Sequence, residues 1–437
     1  MPEQYERRAT PLRAVRRSVH LLGEAAARAG RTTDRIEASL TNRLDRFVTS
    51  RNTIDFRQLI DIPFPALRPI YPVLPAIGQR PSVNVFCFLH EGDFYGGVAT
   101  LMLVAAKLAM TLDYDLRAVQ TRPSEAKEIK PVDVCAYLES QGVPFPRERY
   151  STIDLSGPGH RLLPLHPDDV VIASAWWDAR TAAPLPLRRP FVYLIQDFEP
   201  LFYSNSDPQL WSEATYRGDR FVPLLNSSML KEFFVTRRYE SIGPDAVSFE
   251  PAVGLQPVAE APAATGGHKT LFLYARPKVE RNLFYTSLQA LDIAFSDPRV
   301  KAEDWWLVSA GMDGFPDIVL SNGVTIHSLG KLPYDGYRRL VRQVDVAVTP
   351  MLSPHPNYPT LEFASVGARV VTTAYETKTD LSRYSPGIVL TQPTAAALGA
   401  AIVDATMSTA HHKPPNHVGH DWNAALDEPI RQVAHRL

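Results

Sequence analysis

The stretch GLQPVAEAPAATGGH, residues 254–268, decides the fold. It has no periodic apolar face and is rich in Ala, Pro and Gly, the composition of a flexible connection between folded units. Directly after it, KTLFLYA (269–275) opens a series of short apolar runs: WWLVSAG (305–311), VTIHSLG (324–330), VDVAVTP (344–350), ARVVTTA (368–374) and GIVLTQ (387–392). Helical-period segments near 282–295, 334–343, 360–367 and 394–407 separate them. The same alternation precedes the linker, with strands near 83–89, 115–121, 169–174, 190–196, 221–226 and 246–250. Helices are expected there near 97–112, 131–142, 208–216 and 227–238.

Short buried runs separated by crossover helices are the pattern of a parallel sheet. The chain therefore reads as an α/β protein of two Rossmann-like, doubly wound parallel-sheet domains facing a central cleft. Such sheets bind ligands outside their strand carboxyl ends, so the doubling is itself a functional hint. The expected division is a helical extension over 1–80, a first domain over 81–253, the linker 254–268, a second domain over 269–410, and a tail over 411–437 that packs back on the first domain.

Length and composition agree. The 437 residues suffice for two to three domains, and 45% hydrophobic with 21% charged residues is ordinary globular composition. The 38 prolines exceed the roughly 22 that average usage gives, and their spread marks loops and strand edges. A net charge of −1 gives no global reason to expect a nucleic-acid partner. Cys87 and Cys135 both sit in apolar runs, which argues against a disulfide framework or cysteine zinc site and fits a reducing cytoplasm.

The charged first thirty residues lack the apolar centre of a secretory signal, and Val98–Leu112 is shorter than the ~20 residues that span a bilayer. Residues 1–50 hold ten Arg, no Lys and six acidic residues, with apolar positions at helical spacing such as Val15, Val19 and Leu22. These helices are expected to cap the first domain or a homodimer; the rival readings are docking on the anionic inner face of the plasma membrane, and disorder.

Four segments could carry chemistry. In the first, Leu89–Thr100, Gly96 and Gly97 would let the backbone approach a ligand where a strand enters a helix; the plain alternative is a tight turn. The second pairs Ala173–Asp178 with Tyr193–Tyr203, placing Trp176, Trp177, Asp178, Gln196, Asp197 and Glu199 at strand carboxyl ends, where sugars are gripped by ring faces and carboxylates. Aromatic clusters also arise from packing alone. The third, Tyr274–Leu283, sets Arg276, Lys278 and Arg281 where a strand gives way to a helix, which suits a diphosphate. The fourth, Thr349–Val371, runs from a proline-rich turn into a helix starting near Thr360. Thr360 and the first-turn amides could hold a phosphate, and Glu362 could accept from two hydroxyls of a ribose or sugar.

The fourth segment resembles the nucleotide-sugar motif of GT-B retaining glycosyltransferases of family four, through Pro359, Leu361, Glu362, Ala364, Gly367, Val370 and Val371. That motif carries a first glutamate eight positions before the second; here the position is Pro354, and Ser353 and His355 are the polar neighbours. The resemblance implies a GT-B fold, with Arg276 and either Lys278 or Arg281 on the diphosphate, Tyr358, Thr360, Leu361 and Glu362 in the donor pocket, and Gly96 and Gly97 in the first glycine-rich loop. More narrowly, YLIQDFEPLFY (193–203), the pair Trp176–Trp177, NSSMLKEFF (226–234), and YARP (274–277) followed by RNLF (281–284) are similar to bacterial rhamnosyltransferases of the WsaF type. This implies transfer of L-rhamnose from dTDP-L-rhamnose to a surface glycan.

The expected protein is thus a glycosyltransferase, with Arg276 and Arg281 neutralising the leaving diphosphate and Asp197 orienting the acceptor. Retention follows from the resemblance alone, with the leaving phosphate taking the acceptor proton; His90, Glu91 and Asp197 are the candidates if a protein base acts. No cofactor is expected beyond the nucleotide-sugar substrate, and no obligatory metal, because no candidate donor loop carries Asp-x-Asp. The partners are the donor and a glycan acceptor. The rivals are a nucleotide-sugar epimerase of the same fold and a non-catalytic nucleotide-sugar or glycan-binding protein.

Overall fold

The computed structural model describes residues 56–57, 64–89, 96–122, 130–157, 159–253, 255, 268–408 and 415–437. His90, Glu91, the helices expected within residues 1–50 and most of the 254–268 linker lie outside the described residues. The strands are β1 (Ile70–Val73), β2 (Ser82–Cys87), β3 (Asp115–Gln120), β4 (Tyr150–Asp154), β5 (Arg161–Pro164), β6 (Val170–Ala173), β7 (Phe191–Ile195), β8 (Phe221–Asn226) and β9 (Val247–Phe249) before the linker. After it come β10 (Lys269–Tyr274), β11 (Trp305–Ala310), β12 (Ile318–Val319), β13 (Thr325–Ser328), β14 (Val346–Val348), β15 (Arg369–Thr373) and β16 (Ile388–Thr391).

The first sheet has the order β4-β3-β2-β6-β7-β8-β9, with every pair parallel. The second has the order β12-β13-β11-β10-β14-β15-β16 and is parallel except for the edge strand β12. In both, the order reverses at the first long strand, β2 or β10, which is the switch point of a doubly wound fold. Strand β2 shows why the apolar runs are continuous rather than alternating. Val83, Val85 and Cys87 face one core and Phe86 faces the other, so both sides of the strand are covered. Strand β10 does the same, with Leu271 and Leu273 on one side and Phe272 on the other.

Ten helices occur among the described residues: α1 (Gly96–Leu112), α2 (Pro131–Ser140), α3 (Trp176–Ala182), α4 (Asp207–Thr215), α5 (Ser228–Thr236), α6 (Phe284–Phe295), α7 (Tyr334–Val341), α8 (Tyr358–Ser365), α9 (Ala395–Ser408) and α10 (Trp422–Arg436). Helix α1 lies almost wholly in the first core, which accounts for its unbroken apolar run. None of these helices is long and apolar enough to cross a membrane.

Three expectations change. The stretch over 1–80 reads as helical; of its described part, residues 56–57 are helical, Pro65–Leu67 form a 3-10 turn, and β1 pairs with β5 in a separate two-stranded parallel sheet. In β1, Ile70 and Val73 are β-branched and Pro72 has no N–H, which a strand of one partner tolerates and a helix interior does not. Strands β4 and β5 were not expected, because each exposes part of its length and lacks a fully apolar run. Trp176–Ala182 is a helix rather than an open strand end.

Helix α10 packs on the first domain: Trp422, Leu426, Ile430 and Val433 enter the core that α1 fills. Lys107 of α1 also meets Asp427 at 3.0 Å and donates to Asn423 at 2.7 Å. Where this returning chain passes the chain leaving the first domain, Ala252 and Gly419 form a parallel bridge, and the Val253 amide donates to the Gly419 carbonyl at 2.9 Å.

Candidate donor and acceptor cleft

The carboxyl ends of the two large sheets meet through three sets of polar contacts. The hydroxyls of Thr100, one turn into α1, and Tyr358, at the start of α8, stand 2.6 Å apart; Asn226 at the end of β8 donates to the same tyrosine oxygen at 2.8 Å. Asp197, just beyond β7, accepts from the Phe198 amide at 2.8 Å and from the Ser353 hydroxyl, and its second oxygen lies 3.5 Å from Arg281 Nε. Beyond β9, Glu250 accepts from the Tyr384 hydroxyl of the second domain.

The basic turn after β10 is tied to the proline-rich turn after β14, since the Leu352 amide donates to the Arg281 carbonyl at 2.8 Å. The Arg281 guanidinium stands 3.9 Å from the Phe202 ring centroid, and burial lowers its pKa against the opposing pull of Asp197. Arg276 borders the same turn and reaches the Tyr274 hydroxyl at 3.3 Å, while Lys278 is exposed at its rim. A guanidinium this buried against one carboxylate is held in a fixed place, which a solvated surface arginine is not.

The structure brings the glycine turn to the same place. Gly96 has φ of +55°, a left-handed conformation that favours glycine. Gly97 has no such need: its carbonyl accepts from Gln196 Nε2 at 2.8 Å, and a Cβ there would meet that side chain only at ordinary contact distance. Asn357 precedes helix α8 with a φ of +75°, and its Nδ2 donates to the Thr349 carbonyl at 3.2 Å.

Within α8 the expected residues divide. Glu362 accepts from the Tyr337 hydroxyl at 2.7 Å, and burial pushes its carboxyl up to about 7, against that bond and the Arg338 charge. The Tyr358 ring is partly exposed, with its hydroxyl engaged across the cleft. Thr360 is fully buried, and its hydroxyl pairs with that of Thr349 at 2.8 Å, which corrects the expectation that it meets a phosphate. Leu361 is fully buried too, packs in the second-domain core, and donates its amide to the Asn357 carbonyl at 3.2 Å. Its place in the motif is one of packing.

Trp176 and Asp178 are a further correction. Trp176 is 2% exposed; its indole donates to the Tyr203 hydroxyl at 2.8 Å and its amide to Glu199 at 2.6 Å. Asp178 is buried and accepts from Thr121 at 2.7 Å. These groups hold the first domain together instead of lining the cleft, because each finds a hydrogen-bond partner inside. Trp177 is capped by Arg122, whose guanidinium lies 4.4 Å from its ring centroid.

Sequence reasoning missed Lys378, Thr100, Asn226 and Tyr337. Lys378 is fully buried, donates to the Met351 carbonyl at 2.9 Å, and is lowered by burial to about 7. His355 is also buried, accepts from the Asn357 amide at 2.9 Å, and is lowered by burial to about 4; among the described residues its Nε2 has no hydrogen-bond partner. No sequence signal marks Lys378, which sits among the polar residues of ETKTD. Among the described residues, no group of three His, Cys, Asp or Glu side chains stands close enough to hold a metal ion.

Two parallel-sheet domains meeting at their carboxyl ends, with a basic turn and a glutamate-bearing helix on the second, have the GT-B fold. WaaG, described as a glycosyltransferase involved in lipopolysaccharide biosynthesis, matches this fold with a TM-score of 0.51 at 13% identity, over 81% of this chain and 95% of that one. Anabaena Alr3699/HepE, crystallised with UDP and glucose, matches with a TM-score of 0.50 at 14% identity, over 82% of this chain and 98% of that one. Residues 83–228 match the model of the WsaF N-terminal domain and residues 269–403 that of the WsaF C-terminal domain, so the chain belongs to the WsaF family. The O-antigen biosynthesis protein RfbC of Myxococcus xanthus is 30% identical over 242 residues, which are 55% of this chain but only 18% of that protein.

Proposed function

We propose that this glycosyltransferase adds a sugar, L-rhamnose from dTDP-L-rhamnose, to a growing bacterial surface polysaccharide with retention of configuration and without an obligatory metal. The observation that carries the reading is the joint placement of Arg281 and Asp197. A half-buried cation from the second domain faces a carboxylate from the first, and the turn before α8 closes on Asp197 through the Ser353 hydroxyl and on the Arg281 carbonyl through the Leu352 amide. A departing diphosphate needs positive charge fixed in advance, and Arg276, Lys278 and Arg281 supply it beside the amino end of α8.

Glu362 would accept from donor hydroxyls, with Tyr337 setting its direction. Asp197 would orient the acceptor, and the leaving phosphate would take its proton. The family and the RfbC relative support the polysaccharide role; the deoxyhexose and the thymidine base rest on the WsaF resemblance.

The test is a thermal-shift panel of dTDP, UDP, GDP and ADP with their common sugars, against wild type and Glu362→Ala. A ligand that binds the folded state raises the melting temperature by mass action, ~2.7 kcal/mol of stabilisation at a hundredfold excess over Kd. The expected result is a shift with dTDP and dTDP-L-rhamnose that the variant loses. A shift with none of them defeats the donor assignment. Product release without any acceptor would point to the epimerase instead.

A further inference from the structure

The run Tyr193–Tyr203 carries four aromatic residues, and three are absorbed into the first domain. Tyr193 and Phe198 are buried, and the Tyr203 hydroxyl is held by the Trp176 indole. Phe202 alone is exposed, at 38%, although it stands at the junction of the two domains. It is also held still: the Arg281 guanidinium lies 3.9 Å from its ring centroid and fixes one side of the ring.

The rest of the ring borders an open pocket of about 380 Å³. Ser204 and Ser206 line it from the first domain, and Lys278, Glu280 and Arg281 from the second. Gly96, Gly97, Tyr358 and Glu362 do not line it. The pocket therefore borders Arg281 and Phe202 but takes in no residue of the glycine turn or of the glutamate-bearing helix. A rigid apolar ring and two hydroxyls, with Lys278, Glu280 and Arg281 as further hydrogen-bonding groups, suit a hydroxyl-rich ring whose C–H face stacks on the phenyl group. Its position suits the same ligand, because an acceptor hydroxyl must reach the anomeric carbon next to the departing diphosphate.

We infer that this pocket is an acceptor subsite, in which the sugar ring presented for extension stacks on Phe202 between the 201–206 and 278–281 turns. The inference rests on the transferase reading for its role, but its binding claim is tested without turnover. Saturation-transfer NMR on the full chain, with the methyl glycosides of L-rhamnose, D-mannose, D-glucose and D-galactose, should show binding of at least one. That binding should survive saturating dTDP, weaken at least tenfold in Phe202→Ala and in Ser204→Leu, and persist in Phe202→Tyr.

Ser204→Leu fills the pocket without touching the Phe202–Arg281 contact, so it decides the matter if Phe202→Ala disturbs the fold. Absence of any glycoside signal in wild type, wild-type binding in both disruptive variants, or displacement by dTDP would each overturn the inference. Nucleotide melting shifts report separately on the donor pocket, so loss of one reading leaves the other measurable.

Discussion

The strand-end turns at Ala173–Asp178 and Tyr274–Leu283 read alike in the sequence, as clusters of chemistry at carboxyl ends, and the fold treats them in opposite ways. The first turns inward. Trp176 and Asp178 find Tyr203, Glu199 and Thr121 and become core. The second stays at the cleft, with Arg276 and Arg281 partly exposed and Lys278 fully so. The difference lies in what each side chain requires. An indole or a single carboxylate can be buried once its polar atom is paired, whereas three cations within six residues would need three buried counter-charges. A strand end thus remains open for a ligand when its side chains are too costly to bury.

The contrast can be sharpened by mutation. Trp176→Ala should destabilise the protein by ~3–5 kcal/mol, as large aromatic truncations in cores do, while Arg276→Ala should stay within ~0.5 kcal/mol of wild type in denaturant unfolding. Equal losses would erase the distinction. Arg281→Ala should lower sugar transfer by ~10²–10³ through lost charge stabilisation, measured as kcat at saturating donor.

The two regions should also differ in pH dependence. Burial raises Glu199 to about 8 from 4.5, so the folded state holds a proton that the unfolded state releases. Stability from this group is present below about 4.5 and lost as pH rises to about 8; Glu199→Gln should flatten that stretch. Lys378 in the second domain acts with the opposite sign. Lowered to about 7 from 10.5, it is neutral when folded while the unfolded chain still binds a proton. Stability should rise from about pH 7 to about 10.5, and Lys378→Met should remove the rise in urea titrations across that range. The smallest effect belongs to Tyr337→Phe, which removes one hydrogen bond to Glu362. A cost of ~0.5–1.5 kcal/mol, or up to about tenfold in nucleotide affinity, is expected by calorimetry.

Most of the scaffold was legible because β2, β10 and their neighbours are buried on both faces, and that requirement writes itself as unbroken apolar runs. Strands β1, β4 and β5 escaped because half-exposed strands need no such run. In the site, the cations and Glu362 were legible from residue type and position. Thr360 and Leu361 fit the same motif, yet the fold uses them for packing, and residue type alone does not separate the two uses. The bonds from Thr100 and Asn226 to Tyr358 join residues 258 and 132 positions apart, a distance no local pattern records. Lys378 escaped for a related reason: the Met351 carbonyl that receives it lies on another turn.

The pairing of Ala252 with Gly419 has a mechanical consequence. The polypeptide passes between the domains twice, and the two passes are clipped side by side where they cross. The bridge thus fastens the chain leaving the first sheet to the chain returning to it, at one point in addition to the Arg281–Asp197 and Tyr358–Thr100 contacts.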